Sequence, residues 1–365
     1  MKSPTPRPGI MDIAPYVPGE AAIAGVAEPT KLSSNESALG PSPRAMEVYR
    51  AEAAELHRYP DGGATKLRAA LGKHYGLDPA RLVCGAGSDE LISLLVRAYA
   101  GPGDEVLFSQ HGFLMYRLAA LSVGATPVTA PEKNLTADVD AILARVTPRT
   151  KLVFLANPNN PTGTMLPASE VRRLHRALPA HVVFGIDAAY AEYVVRNDYS
   201  PGVELVDDPR GNAVMLRTFS KIFGLAALRL GWAYCPPGIA DVLNRLRGPF
   251  NVGLPSQSAG IAALADVAHT DAARSHNDVW RPWVEREIST LGFPVVPSVG
   301  NFVLIRFPKG AAQAKAADEH LKKAGIILRG MAAYGLPDSL RMTVGTEAEN
   351  KATVAALAAF AKSHG

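Results

Sequence analysis

Short apolar runs alternate along the first two thirds of the chain with stretches whose apolar positions recur at helical spacing. This pattern predicts strands over 81–83, 105–109, 151–156, 182–186, 213–217 and 230–234. It predicts helices over 45–56, 91–99, 114–122 and 169–178. Strands that are apolar throughout have both faces covered, and helices between them imply βαβ units. The expected fold class is α/β: a mostly parallel central sheet with helices on both faces, joined to a smaller α+β domain. The character changes after Pro249. A long helical stretch is expected over 256–291, a strand over 302–307, a helix over 311–324, a strand over 340–344 and a closing helix over 346–362. Thr346 is placed to cap that last helix, and Glu347 and Glu349 complement its dipole. Ahead of all this, Pro4, Pro6, Pro8, Pro15 and Pro18 predict an extended arm that packs on the small domain or on a partner subunit. The expected division is therefore an arm over 1–35, a large domain over 36–248 and a small domain over 249–365.

Composition narrows the function class. The chain has 365 residues, 47% of them hydrophobic and 20% charged, as in an ordinary globular protein. Its formal net charge of +4 is scattered rather than gathered into a stripe, which argues against a nucleic-acid binder. Cys84 and Cys235 are far apart and form no CxxC pair, so neither a disulfide framework nor a cysteine-based zinc site is expected; no metal is assigned. The N-terminal stretch has no apolar signal region and no segment is long and apolar enough to span a membrane, so a cytoplasmic location is expected.

Four segments carry candidate chemistry. Gly85-Ala86-Gly87-Ser88-Asp89-Glu90 leads from a strand through a glycine turn into a helix, where exposed amides and the Ser88 hydroxyl suit a phosphate. Its bland reading is a turn capped by Ser88 or Asp89. Asn157-Pro158-Asn159-Asn160-Pro161-Thr162-Gly163 makes a rigid turn at the carboxyl end of a strand, the edge where α/β sheets bind ligands. Two consecutive asparagines exceed what a turn needs. Asp187 ends an apolar strand, where a carboxylate needs a cationic partner such as a protonated pyridine nitrogen unless it merely caps a helix. Thr218-Phe219-Ser220-Lys221, followed by Arg229, sets two hydroxyls, a lysine and an arginine in apolar surroundings. There a lysine amine can form an imine with an aldehyde, and a guanidinium fork can hold a phosphate.

In this order, these segments resemble the fold-type I aminotransferases, most closely the histidinol-phosphate aminotransferase family. The resemblance extends from Leu32-Ser33-Ser34-Asn35-Glu36 through Arg58-Tyr59-Pro60-Asp61 and Pro249-Phe250-Asn251-Val252 to Leu340-Arg341-Met342-Thr343-Val344. It implies pyridoxal 5′-phosphate as cofactor, carried on Lys221. Asp187 would keep the pyridine nitrogen protonated, and Asn160 and Tyr190 would bond the 3-oxygen. Gly87, Ser88, Asp89, Ser220 and Arg229 would cup the phosphate, and Phe113 would stack on the ring. Tyr59 would reach the phosphate of a neighbouring subunit, which implies a homodimer with shared sites. Asn35, Arg341, Arg329 and Tyr16 would contact the substrate. The implied reaction is transamination between L-histidinol phosphate and 2-oxoglutarate in histidine biosynthesis. Aromatic amino-acid transamination is the main alternative. A phosphothreonine decarboxylase and a ligand-sensing domain are minor ones, the last expected to need a DNA-binding module where only the proline-rich arm stands. The chain departs from the family pattern at Ala188, where Glu is usual, at His111, where Pro is common, and at Ser37-Ala38. These positions bear on substrate identity more than on reaction type, and His111 reads as a packed residue rather than a catalyst.

Overall fold

The computed structural model describes residues 4–7, 9–15 and 18–364. The arm ends in a two-residue strand, β1 (Thr30–Lys31). Then follow β2 (Leu82–Gly85), β3 (Glu105–Ser109) and β4 (Thr126–Ala130), a hairpin of β5 (Glu132–Lys133) and β6 (Thr136–Ala137), and β7 (Thr150–Ala156), β8 (Val183–Asp187), β9 (Ala213–Thr218) and β10 (Gly231–Tyr234). One seven-stranded sheet is built in the order β2-β10-β9-β8-β7-β3-β4. Its neighbours run parallel except at β10, which is antiparallel to both β2 and β9. The mostly parallel sheet expected from the apolar runs is thus present.

Period-two alternation assigns each strand side chain to one of two cores. Val106, Phe108, Leu152, Phe154, Val214 and Leu216 meet the helices Ser88–Tyr99 and Leu114–Ser122. Leu107, Val153, Leu155, Phe184 and Ile186 meet the helix Ala168–Ala177 on the other face. Parallel direction also puts the ends of β7, β8 and β9 at one edge: Ala156 pairs with Asp187, Asp187 pairs with Leu216, and Thr218 lies two residues beyond.

The remaining strands are β11 (Val295–Val296), β12 (Phe302–Arg306), β13 (Ile326–Ile327), β14 (Arg329–Gly330) and β15 (Ser339–Thr343). They include a four-stranded sheet, β11-β12-β15-β14, with antiparallel pairings throughout. One face of it packs Val303, Ile305, Leu340 and Met342 against Val284, Ile288, Leu321, Leu357 and Phe360 from three helices. β1 pairs parallel with β13, which ties the end of the arm to this body.

Some expectations change. The helix over 256–291 is two helices, Leu254–Ala265 and Val267–Thr290, broken at Asp266, where the backbone leaves helical geometry and the carboxylate accepts a 2.7 Å bond from Ser42. The first of them packs on the helices Pro43–Ala51 and Thr65–Tyr75. The helix expected over 45–56 ends at Ala51 and continues only as a tighter turn over Glu52–Glu55. The helices Thr65–Tyr75 and Pro237–Leu246 and the edge strand β4 were not foreseen. The closing helix, Glu347–His364, starts with a capping box: Thr346 Oγ1 accepts from the Glu349 amide, and Glu349 Oε2 accepts from the Thr346 amide at 2.7 Å. Among the described residues no helix is long and apolar enough to cross a membrane.

Candidate active site

A cavity of about 250 Å³ opens where the carboxyl edge of the large sheet faces the small one. Twelve residues singled out in the sequence line it: Asn35, Ser88, Asp89, Phe113, Asn160, Asp187, Tyr190, Ser220, Lys221, Arg229, Arg329 and Arg341.

At its floor, Asp187 is the last residue of β8 and is only 5% exposed. Its Oδ2 accepts a 2.8 Å bond from the Tyr116 hydroxyl and its Oδ1 a 3.2 Å bond from the Ala189 amide. Both donors are neutral, so the charge is only partly compensated. Burial pushes the carboxyl up to about 6 against the opposing bond from Tyr116. Lys221, just beyond β9, donates to the Ser34 carbonyl at 3.3 Å. Burial and then the positive charge of Arg341 push its amine down to about 8. One cavity therefore holds a carboxylate short of a cation and a lysine inclined to lose its proton, a pairing that marks chemistry more often than structure.

At the other end, the helix Ser88–Tyr99 begins after Gly87 with no side chain capping its first turn. Ser88 and Asp89 are thus inside the helix rather than caps, and the first amides face the cavity end. Arg229 donates to Ser220 Oγ at 3.3 Å and pairs with Asp89 at 3.2 Å. Gly87 has φ of +83°, and a Cβ there would lie 2.4 Å from Arg229 Nη2, so any side chain would fill the cradle. Hydroxyl, guanidinium and helix amides together match a phosphate.

The third wall comes from the small sheet. Arg329 on β14 and Arg341 on β15 are direct partners across the ladder, so both project from the same face. Arg341 donates to the Asn160 side-chain oxygen and, at 2.8 Å, to the Ser33 carbonyl. With its oxygen occupied, Asn160 has its amide NH₂ left for the cavity. Tyr190 is buried, and its phenol oxygen accepts a 2.9 Å bond from Asn35 Nδ2. Burial pushes that phenol up to about 12, against the pull of Arg341 and the bond from Asn35.

This donor set fits pyridoxal phosphate: a ring-nitrogen partner at Asp187, an amine at Lys221 and a phosphate cradle at Gly87, Ser220 and Arg229. A model of the aminotransferases of class I and II matches residues 27–357. The chain belongs to that family. Among relatives in the family, the histidinol-phosphate aminotransferase of Paramagnetospirillum magneticum is 62% identical over 361 residues, 99% of each chain. That of Rhodospirillum centenum is 56% identical over 99% of this chain and 100% of its own. The crystal structure of histidinol-phosphate aminotransferase from Sinorhizobium meliloti in complex with pyridoxal-5′-phosphate superposes with a TM-score of 0.87. It is 31% identical, over 94% of this chain and 92% of that one.

Two singled-out residues do not reach the cavity within this chain. Gly87 acts from behind Arg229, as above. Tyr59 is 82% exposed and stacks on Phe250 with ring centroids 4.5 Å apart. Tyr16 lies outside the described residues. His111 is absent from the cavity wall; it is buried, and its Nδ1–H donates to the Tyr334 carbonyl at 2.6 Å. Ala188 is fully buried in the core. Residues that the sequence reading missed include Tyr116, Thr218, Glu36 and Tyr334. Tyr116 sits in an apolar helix and reads as core; Thr218 alone carried a signal, in the Thr-Phe-Ser-Lys run.

Proposed function

We propose that the chain catalyses pyridoxal-phosphate-dependent transamination between L-histidinol phosphate and 2-oxoglutarate. One observation carries the substrate side of this reading: Arg329 and Arg341 stand opposite each other on β14 and β15 and open into the cavity that holds Lys221 and Asp187. Both guanidinium groups reach the cavity, and guanidinium forks match a substrate phosphate or carboxylate alike. One site then accepts histidinol phosphate and 2-oxoglutarate in turn, as ping-pong chemistry requires. The near-full-length likeness to two enzymes bearing the histidinol-phosphate name supports the same substrate.

When bound, pyridoxal phosphate supplies an aldehyde that takes the amino group and a protonated ring that takes up electrons from the donor carbon. Lys221 Nζ removes the proton from the donor Cα, a task suited to an amine whose proton affinity is lowered by burial. Asp187 would keep a proton on the ring nitrogen, and Tyr190 and Asn160 would bond the 3-oxygen. The first amides of the helix Ser88–Tyr99, Ser220 and Arg229 would hold the phosphate, and Phe113 would stack on the ring.

The exposed Tyr59–Phe250 stack supports a homodimer in which Tyr59 completes the partner's phosphate site, and the division into arm, large and small bodies goes with this reading. The deciding experiment follows the cofactor's absorbance while histidinol phosphate, tyrosine or phenylalanine is added separately to the purified holoenzyme. Conversion to the amine form by low histidinol phosphate supports the reading. Conversion by the aromatic acids alone replaces it with an aromatic aminotransferase.

A further inference from the structure

Asn35 is a non-glycine residue with φ of +54°, a conformation asparagine tolerates better than most. It is 1% exposed, and both ends of its carboxamide are engaged within the protein. Nδ2 donates to the Tyr190 phenol oxygen at 2.9 Å, and Oδ1 accepts from Thr343 Oγ1 at 3.4 Å. Its backbone is held as firmly: the amide donates to Thr343 Oγ1 at 2.8 Å, and the carbonyl accepts from Asn301 Nδ2 at 3.1 Å. Thr343 lies on β15 two residues beyond Arg341, and Asn301 immediately precedes β12. Asn35 therefore rides with the small sheet, yet its side-chain NH₂ donates to a phenol of the large body.

We infer that Asn35 is a positioning residue that acts through Tyr190 rather than a direct substrate contact. By filling a lone pair of the phenol oxygen, Nδ2–H leaves the Tyr190 O–H to point into the cavity and makes it a stronger donor. Because Arg341 and Thr343 share β15, the seating of the anion-binding strand and the donor strength of Tyr190 are set together. This rests on the proposed cofactor reading, in which Tyr190 faces the ring's 3-oxygen.

The test is a pH titration of cofactor absorbance in the holoenzyme, with Tyr190→Phe as the reference. Asn35→Gly removes the side chain while keeping a backbone that accepts positive φ and both backbone hydrogen bonds. Its midpoint shifts in the same direction as that of Tyr190→Phe and by less, on the order of half a pH unit. In the Tyr190→Phe background it adds no further shift. Turnover falls, while KM for donor and acceptor changes little. Asn35→Asp, which keeps the backbone but presents an acceptor, does not restore the wild-type midpoint. An unshifted midpoint with a raised donor KM overturns the inference and makes Asn35 a substrate contact. An equal shift in the Tyr190→Phe background overturns it as well. A Tyr190→Phe titration identical to wild type overturns the cofactor reading itself.

Discussion

The Tyr116 hydroxyl donates a 2.8 Å hydrogen bond to Oδ2 of Asp187. Tyr116 is fully buried and its ring lies flat on Phe154, with centroids 4.8 Å apart and planes 4° from parallel. The hydroxyl therefore has little freedom, and it fixes which carboxylate oxygen remains for a ring nitrogen. Tyr116→Phe keeps the stack and deletes only that bond. A hydrogen bond to a charged group contributes about 1.5–3 kcal/mol, so cofactor retention falls about tenfold or more. Titration of the apoprotein with pyridoxal phosphate checks this. An unchanged dissociation constant means that burial alone holds Asp187 in place.

Lys221→Ala removes the amine proposed to take the donor proton. The half-reaction with histidinol phosphate slows by at least about 10²–10⁴-fold, while the phosphate cradle still retains the cofactor. Stopped-flow absorbance reads the rate, and activity undiminished in the variant would refute the assignment of Lys221.

The same lysine makes apoprotein stability depend on pH. Its amine is pushed down to about 8 from an unfolded value near 10.5. Between those values the unfolded chain binds the proton that the native chain has lost, so stability rises with pH across that window. The gain is complete above 10.5 and is lost as pH falls through 8. Asp187 works at the acid end, pushed up to about 6 from 3.8. There the native state holds the extra proton, so its contribution is present below 3.8 and lost as pH rises through 6. Denaturation of apoprotein across pH 7–11 for wild type and Lys221→Met isolates the first effect. Parallel curves would mean that Lys221 titrates at its ordinary pH.

Arg329 and Arg341 split by ligand. Arg329→Gln lowers kcat/KM for histidinol phosphate about 10–100-fold, the loss of a charged hydrogen bond, and costs 2-oxoglutarate less. Steady-state kinetics with each substrate varied test this. An equal loss for both substrates would assign Arg329 to the shared anion site.

Tyr59 gives a test of assembly. If it completes a partner's site, Tyr59→Ala and Lys221→Ala subunits are each nearly inactive alone. Mixed dimers regain one intact site, about a quarter of all sites after random reassociation. No recovery after verified subunit exchange would confine Tyr59 to its own chain.

That Asp187, Lys221 and Arg229 belong to one cavity was legible because they break a local rule. Asp187 sits where an apolar strand has no use for a carboxylate, and Lys221 and Arg229 sit among apolar neighbours. Tyr116 breaks no rule: in Leu114-Met115-Tyr116-Arg117-Leu118 its ring is an unremarked core residue, and only the path of β8 brings Asp187 to its hydroxyl. Asn35 likewise gave no hint of its bond to Tyr190, which depends on the arm, both sheets and a left-handed backbone at once. In the fold, the buried parallel strands were read from their apolar runs, but β4 was not. It lies at the sheet's edge, contains Pro127 and leaves Thr126 and Thr129 exposed, so neither continuous burial nor alternation marks it. The break at Asp266 escaped for a similar reason: helical periodicity runs on through it, while the partner that holds it, Ser42, is distant in sequence.

Arg329 faces Arg341 because β14 and β15 pair in one register, with Gly330 opposite Leu340. A slip of one residue on β14 would turn Arg329 into the hydrophobic layer that Leu328 and Leu340 now share, and would remove its charge from the cavity. The placement of the two guanidinium groups is therefore encoded in backbone hydrogen bonds rather than in the arginines themselves. A shift of that register changes the charge of the cavity with both arginines still in the sequence.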